Sequence, residues 1–381
     1  KKAIFGQVHL FIRVHLGQDG KYHVLNDGAN SKVAVKQIRK DNIQRQINAG
    51  RELSEDPLKE VAIMLSLKQG DVQHRNVMNV IEVGQDARCI YIVMPFADGG
   101  EMFDTVNRGG AQNEGTTRFY IRKMVSGLIH LHESGVSLND TSLENTMMHS
   151  FGEQIEPILM DFGMASFLLA NDYGARLLNK ANQQGKIAYL APEVYKRVQY
   201  DGVYADIWSL GVITIMLATG CPPVEKPSRK ECVRFRLIQE GNLSNMLDIW
   251  HRDYGVPSLT PYFHDFVFRI LIADKAWQRL PLSLMLEHPF VTGQILNNDV
   301  WGRYKTMMDM FQKLLDYAYK INNNIGFSVT QQEDVVNIAS AFRLEARAYA
   351  GSGGDVDNLL DWCNSKMKCF FPPNFELSVQ Q

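Results

Sequence analysis

Cysteine is scarce in this chain of 381 residues, with five scattered at positions 89, 221, 232, 363 and 369. That is too few for a disulfide framework or a zinc site, so a reducing compartment, cytoplasmic or nuclear, is expected. An excess of one charge is also lacking. Forty basic residues face 42 acidic ones, a formal net charge of -2, which leaves no overall positive field to hold nucleic acid or anionic lipid. Long hydrophobic runs are missing too. The longest that matters, Leu210 to Ala218, is far short of the roughly 20 residues a bilayer-crossing helix needs, and no membrane span is expected. The chain opens Lys1-Lys2 without a methionine, which reads as a fragment whose true N-terminus lies upstream.

What is present points to a folded protein. Hydrophobic residues make up 45% and charged residues 22%, which excludes disordered and collagen-like chains, and at about 150 residues per domain the length suggests two or three units. Up to Phe96 the pattern is strand-like, in Gln7 to Val14, Lys32 to Ile38 and Cys89 to Met94. One helical stretch interrupts it, with Leu58, Val61, Met64 and Leu65 at helical spacing, Asp56 as its cap and Pro57 at its first position. The polar segment between Gly17 and Ser31 reads as a long hairpin tip. From Gly99 to Val291 the periodicity turns helical, notably over Thr116 to His132, Ala205 to Thr219 and Tyr262 to Ile272. The last ninety or so residues are helical again, broken at Gly351 to Gly354 and ending in a Pro372-Pro373 tail. There Trp301, Tyr304, Met308, Phe311, Leu315 and Ala318 form a seam too short for an autonomous coiled coil. Packing on the larger lobe is the plain reading, and a regulatory helix the alternative.

Val33-Ala-Val-Lys36 ends with a strand lysine that can neutralise two phosphates if a carboxylate such as Glu60 holds its flexible stem. Behind that pair come Asp140-Thr-Ser-Leu-Glu-Asn145, Asp161-Phe-Gly163, Ala191-Pro-Glu193 and Asp206-Ile-Trp-Ser-Leu-Gly211, in that order. Each string alone is common. Together they resemble the signature set of the eukaryotic protein kinases of serine/threonine type, over about Ala3 to Val291, and are similar to the calcium/calmodulin-dependent and AMP-activated branch.

The resemblance implies an α+β bilobal fold. A small β-rich lobe would span residues 1–96 with its first strand missing, a larger helical lobe 97–291, and a helical extension 292–381. It implies ATP and Mg²⁺ as cofactors and a protein hydroxyl as acceptor. Lys36 would hold the α- and β-phosphates, Glu60 would fix Lys36, Asn145 and Asp161 would ligate Mg²⁺, and Asp140 would accept or orient the proton of the attacking hydroxyl. Met94, Pro95 and Ala97 match the adenine-binding hinge, and Val8, Ala34 and Met147 match the residues that sandwich the ring. Glu193 with Arg279, Asp206, and Phe162 with Leu138 and Met64 match structural positions of the family. Glu101 and Glu144 match acidic positions that read an arginine three residues upstream of the phosphoacceptor.

Four departures stand out. In the phosphate-covering loop the aligned residues are Lys1, Ala3, Gly6 and Val8, so only the third glycine survives. The usual H-R-D is Leu138-Asn139-Asp140, and Asn139 brings no charge to meet an activation-loop phosphate. Between Met164 and Leu190 the only hydroxyl-bearing residues are Ser166, Tyr173 and Tyr189. Ser142 stands where most serine/threonine kinases carry a lysine, while Lys186 stands where they carry a threonine, as if the two residue types had been exchanged. The leading expectation is an active serine/threonine kinase with Lys186 among its catalytic residues. The alternative is a pseudokinase serving as a nucleotide- or protein-binding scaffold.

Overall fold

Short runs rich in β-branched residues fold as antiparallel strands in the first of two compact units, Lys1–Cys232 and Val233–Gln381. The computed structural model describes residues 2–3, 5–25, 31–49, 55–70, 73–170, 177–179, 185–322 and 329–351. Lys1, Tyr173, part of the polar tip before Ser31, most of the Gly351 to Gly354 break and the Pro372-Pro373 tail lie outside these described residues.

Along unit 1 run β1 (Lys2–Ala3), β2 (Gly6–Ile12), β3 (Val14–Leu16), β4 (Tyr22–Val24), β5 (Lys32–Arg39), α1 (Lys40–Asn48), α2 (Pro57–Gln69), β6 (Glu82–Gln85) and β7 (Cys89–Pro95). Five of these strands form a sheet in the order β1-β2-β5-β7-β6. Lys2 and Ala3, within the stretch aligned with the phosphate-covering loop, pair opposite Gln7 and Gly6 as a two-residue edge strand. The register pairs Val8 with Lys36 on one side and Ala34 with Met94 on the other. Paired residues share a sheet face, as do residues two apart on one strand, so Val8, Ala34, Lys36 and Met94 line one face.

Gly6 permits this register. A Cβ there would lie 1.8 Å from the Gln37 carbonyl oxygen, a backbone atom with no room to yield. Gly6→Ala should therefore cost about 2 kcal/mol or more, seen as a lower denaturant midpoint with unchanged slope. An unchanged midpoint would mean that β2 can stand off from β5.

Two helical expectations need correction. One is α1, which the strand-like reading of this stretch passed over. It buries none of its residues and is held by polar contacts, some local (Asp41 with Arg39 and Arg45, Gln44 with Asn48) and some to other elements (Lys40 to Gln85 and Asp86, Asn42 to the Phe5 carbonyl), so no buried apolar stripe betrays it. The other is the face of α2. Asp56 does cap it, accepting from the Leu58 and Lys59 N–H groups at 3.1 Å, and Pro57 opens it. The buried stripe, however, is Glu60, Ile63, Met64 and Leu67, while Leu58 is exposed. A carboxylate occupies a core position.

The helical part of unit 1 holds α3 (Met102–Gly109), α4 (Glu114–Glu133), β8 (Val136–Ser137), β9 (Thr146–Phe151), β10 (Gln154–Leu159), β11 (Ser166–Phe167), α5 (Pro192–Tyr195) and α6 (Gly202–Thr219). By length and mean hydropathy, 1.5, α6 meets the composition of a membrane span, which the count of unbroken apolar residues had missed. It is 89% buried inside the protein and carries Asp206, so it is a core helix.

Unit 2 contains α7 (Val233–Gln239), α8 (Leu243–Tyr254), α9 (Pro261–Ile270), α10 (Leu282–Met285), α11 (Pro289–Thr292), α12 (Asn298–Asn322) and α13 (Val329–Gly351). The seam residues Tyr304, Met308, Phe311, Leu315 and Ala318 of α12 are buried within this unit. Buried Arg269 of α9 reaches Asp309 and Gln312 of α12 at 3.1 and 3.0 Å, and Trp277 stacks on Tyr319 with centroids 3.6 Å apart. On its other side α12 meets α13, with Arg303 3.8 Å from Glu345.

Candidate active site

Lys36 is held by the helix that carries Glu60. Its Nζ donates to both carboxylate oxygens, at 2.7 and 2.8 Å, and lies 3.6 Å from Asp161 Oδ1. Both partners are buried, with side chains 10% and 4% exposed. Burial opposes the ammonium charge, yet the Glu60 and Asp161 carboxylates outweigh it and hold Lys36 above its ordinary range. For Glu60 burial pushes the carboxyl up, and Lys36 pulls it back.

The loop between β8 and β9 is pinned from below by α6. Asp206 accepts from the Leu138 N–H at 2.9 Å, the Asn139 N–H at 2.8 Å, the Thr141 hydroxyl at 3.3 Å and His132 Nε2 at 2.9 Å. Asn139 sits at φ 63°, a left-handed conformation that asparagine tolerates better than most side chains. This turn delivers Asp140, whose Oδ2 receives Asn145 Nδ2 at 2.6 Å and Lys186 Nζ at 3.0 Å, while Oδ1 receives the Lys186 backbone N–H at 3.0 Å. Burial raises the Asp140 carboxyl, and the Lys186 charge opposes that rise. The β9–β10 hairpin sets Asn145 just before one strand and Asp161 just after the other. Asp161 stands at φ 72° and accepts from the Gly163 N–H at 3.3 Å.

The structure therefore brings Lys36, Glu60 and Asp161 together, and likewise Asp140, Asn145, Ser142 and Lys186. Met94 and Ala97 are buried, and Gly6, Val8, Ala34, Pro95 and Met147 half-buried. Phe162, Leu138 and Met64 are all buried. Asn139 holds the segment after Asp161 without charge. Its Nδ2 donates to the Met164 carbonyl and the Ser166 hydroxyl, each at 3.1 Å, and its Oδ1 accepts from Asn179 at 3.2 Å.

One residue escaped the sequence reading. Glu55 places its carboxylate over Gly163, where an added Cβ would meet Glu55 Cδ at 3.0 Å. Burial, then the nearby Asp161 charge, pushes its pKa up to about 7. No motif marks it, since it precedes the helix cap. The folded form keeps a proton that the unfolded chain releases near 4.5, so this contribution to stability is present at low pH and is lost as pH rises through about 7. Glu55→Gln should stabilise the fold at pH 8 but not at pH 5, by on the order of 1 kcal/mol once solvent on its open side is allowed for, read as a higher Tm at pH 8. An equal change at both pH values would show that Glu55 is ionised throughout.

Comparison with known proteins agrees with this geometry. The family model for the protein kinase domain matches residues 16–291. Serine/threonine-protein kinase H1 of Mus musculus is 29% identical over 265 residues, 70% of this chain and 57% of that protein. CBL-interacting serine/threonine-protein kinase 5 of Arabidopsis thaliana is 30% identical over 68% of this chain and 52% of that protein. A calcium and calcium/calmodulin-dependent serine/threonine-protein kinase of Lilium longiflorum is 25% identical over 83% of this chain and 65% of that protein. The chain thus spans between half and two thirds of the length of these relatives. With the sheet order, the lysine–glutamate pair and the paired loops in place, the chain belongs to the eukaryotic protein kinase family, on its serine/threonine side.

Proposed function

We propose that the chain transfers the γ-phosphoryl group of ATP to a serine or threonine hydroxyl of a protein, in the cytoplasm or nucleus. The observation that carries this reading is the convergence of Lys36, Asp161, Asn145 and Asp140 in unit 1, with Lys36 already anchored on Glu60 at 2.7 Å. Phosphoryl transfer asks little covalent work of a protein and depends on positioning and charge neutralisation. Lys36 meets the phosphates, and Asp140 orients the acceptor hydroxyl and takes its proton.

The donor set fits a magnesium ion. Asn145 spends its amide N–H groups on Asp140, at 2.6 and 2.9 Å, which leaves its carbonyl oxygen uncommitted as a hard ligand that would join the Asp161 carboxylate on the ion. The chemistry supplied there is neutralisation of phosphate charge by a hard cation. For the acceptor, Glu144 faces the Tyr189 hydroxyl, so a substrate guanidinium would pair with this carboxylate by displacing that neighbour. An arginine three residues upstream of the acceptor follows from Glu101 and Glu144 together. A peptide library should show it, and a flat profile at that position would remove the idea.

Side chains in place of two phosphate-loop glycines and Ser142 in place of a lysine favour a second reading, a scaffold that binds without transfer. Incubation with γ-labelled ATP, Mg²⁺ and a generic basic protein separates the two. Label transfer that Asp140→Asn abolishes supports the kinase. Nucleotide-induced stabilisation with no transfer supports the scaffold.

A further inference from the structure

We infer that Lys186 is a catalytic residue that moves from Asp140 to the transferred phosphoryl group, supplying the cation that Ser142 cannot; this rests on the kinase reading. In the structure the Lys186 ammonium lies 3.0 Å from Asp140 Oδ2 and 3.0 Å from Ser142 Oγ. The backbone is arranged for this approach. Gly185 stands at φ 101°, and a Cβ there would meet Asp140 Oδ1 at 3.0 Å and the Asn139 carbonyl at 3.3 Å, so only glycine lets the Lys186 N–H come within 3.0 Å of Oδ1. Position 186 is thus fastened to the catalytic aspartate by main chain and side chain together. Its side chain keeps 36% of its exposure, against 9% for Asp140, so it retains an open side on which to turn.

Lone-pair counting shows what its movement would open. Oδ2 already accepts Asn145 Nδ2 and Lys186 Nζ, which fills its two lone-pair sites, while Oδ1, with the Lys186 N–H as its one donor, keeps a site beside the loop backbone. A hydroxyl that is to use Oδ2 needs the site that Lys186 holds. When Lys186 leaves, Oδ2 can accept the hydroxyl, at about 2.8 Å. The attacked phosphorus then lies about 3–3.5 Å beyond that hydroxyl oxygen, within the arc of a four-carbon stem pivoting at position 186. The other cation of the site, Lys36 of β5, is anchored on both oxygens of Glu60 and is assigned to the ATP α- and β-phosphates.

The step balances. The hydroxyl oxygen forms its bond to phosphorus as the bond from phosphorus to the bridging oxygen breaks, and that electron pair leaves on ADP. The hydroxyl proton passes to Asp140 Oδ2 and then to water, and Lys186 stays protonated throughout. Ser142, fully buried, keeps the parking position by presenting its oxygen to the ammonium and to the Asn145 N–H at 3.2 Å.

The test compares wild type, Lys186→Ala and the double variant Ser142→Lys with Lys186→Thr. Calorimetry would measure binding of Mg²⁺-ADP alone and of Mg²⁺-ADP with aluminium fluoride, a mimic of the phosphoryl group in flight, beside Tm and label transfer. Lys186→Ala should bind ADP within about threefold of wild type, lose about tenfold or more for the aluminium fluoride complex, and lower kcat about 10²-fold with KM for ATP little changed. The double variant should recover kcat to within about tenfold of wild type. The inference is overturned if Lys186→Ala matches wild type on the aluminium fluoride complex. It is equally overturned if ADP affinity and Tm fall in step with kcat, which would make Lys186 structural. A wild type that transfers no label removes the kinase reading itself, whereas an active wild type beside an equally active Lys186→Ala removes only the role of Lys186.

Discussion

Lys36→Met should abolish label transfer, with kcat down by about 10²–10³ or more, and should also unsettle the fold in a pH-dependent way. The lysine is one half of a buried pair with N–O distances of 2.7 and 2.8 Å. Removing one partner of such a pair costs about 3–5 kcal/mol, because the other charge stays behind without its counterion. The charge left is Glu60, whose carboxyl burial already pushes up. Without Lys36 it rises further and takes a proton. A carboxyl whose folded pKa stands above its unfolded value binds extra protons in the folded state, so stability is gained as pH falls. The Tm deficit of Lys36→Met should therefore be largest near pH 8 and shrink toward pH 5. Adding Glu60→Gln should restore most of the stability and none of the activity. Nucleotide with Mg²⁺ should raise Tm in wild type only. An equal nucleotide shift in Lys36→Met would displace the site from Lys36.

How far this site could be read from the chain depended on what each residue reports locally. Asp56-Pro57 marks a helix start by chemistry that acts over three residues, so the cap was legible and the structure has it. The α2 face was not: Glu60 can be assigned to Lys36, 24 residues away, yet apolar spacing alone cannot count a neutralised carboxylate as part of the buried stripe, which is Glu60, Ile63, Met64 and Leu67. Glu55 was invisible for the same reason, since its neighbours Asp161 and Gly163 come from a distant hairpin. Helix α1 gave no such signal, being held by polar contacts, its own and those of Lys40 and Asn42 with Gln85, Asp86 and Phe5, rather than by a core. The pairing of Ser142 with Lys186 was legible as an exchange of residue types; the hold of the Lys186 main chain on Asp140, through Gly185, needed coordinates. Contacts made within one turn or one strand pair are written locally, and those made by tertiary neutralisation are not.

The most informative of those distant contacts is the grip of Asp206 on the catalytic loop, and Asp206→Asn should break it with little change in size. The carboxylate is fully buried and takes four donors, Leu138 N–H and His132 Nε2 on Oδ2, Asn139 N–H and the Thr141 hydroxyl on Oδ1. Four donors match the lone-pair sites of a carboxylate. An amide has one acceptor oxygen and turns its NH₂ toward the other two donors, so whichever way it flips, an N–H faces an N–H. Leaving buried donors unmade costs about 1–3 kcal/mol each, and more where a charge was involved, so a total of about 3–5 kcal/mol is expected, read as a lower Tm and denaturant midpoint. The catalytic consequence follows from Asn139. Its left-handed φ of 63° is held by the N–H bonded to Asp206, and once released it can relax and carry Asp140 with it. A displacement near 1 Å is enough to cost about 10² in rate. Because Lys36 and Asp161 belong to other elements, ATP affinity should change only a fewfold while kcat falls. Thr141→Val, which loses only the 3.3 Å contact, should cost under about 1 kcal/mol and keep full activity. If Asp206→Asn melted earlier yet kept wild-type kcat below its Tm, the loop would hold Asp140 in place unaided, and the role assigned to α6 would reduce to stability alone.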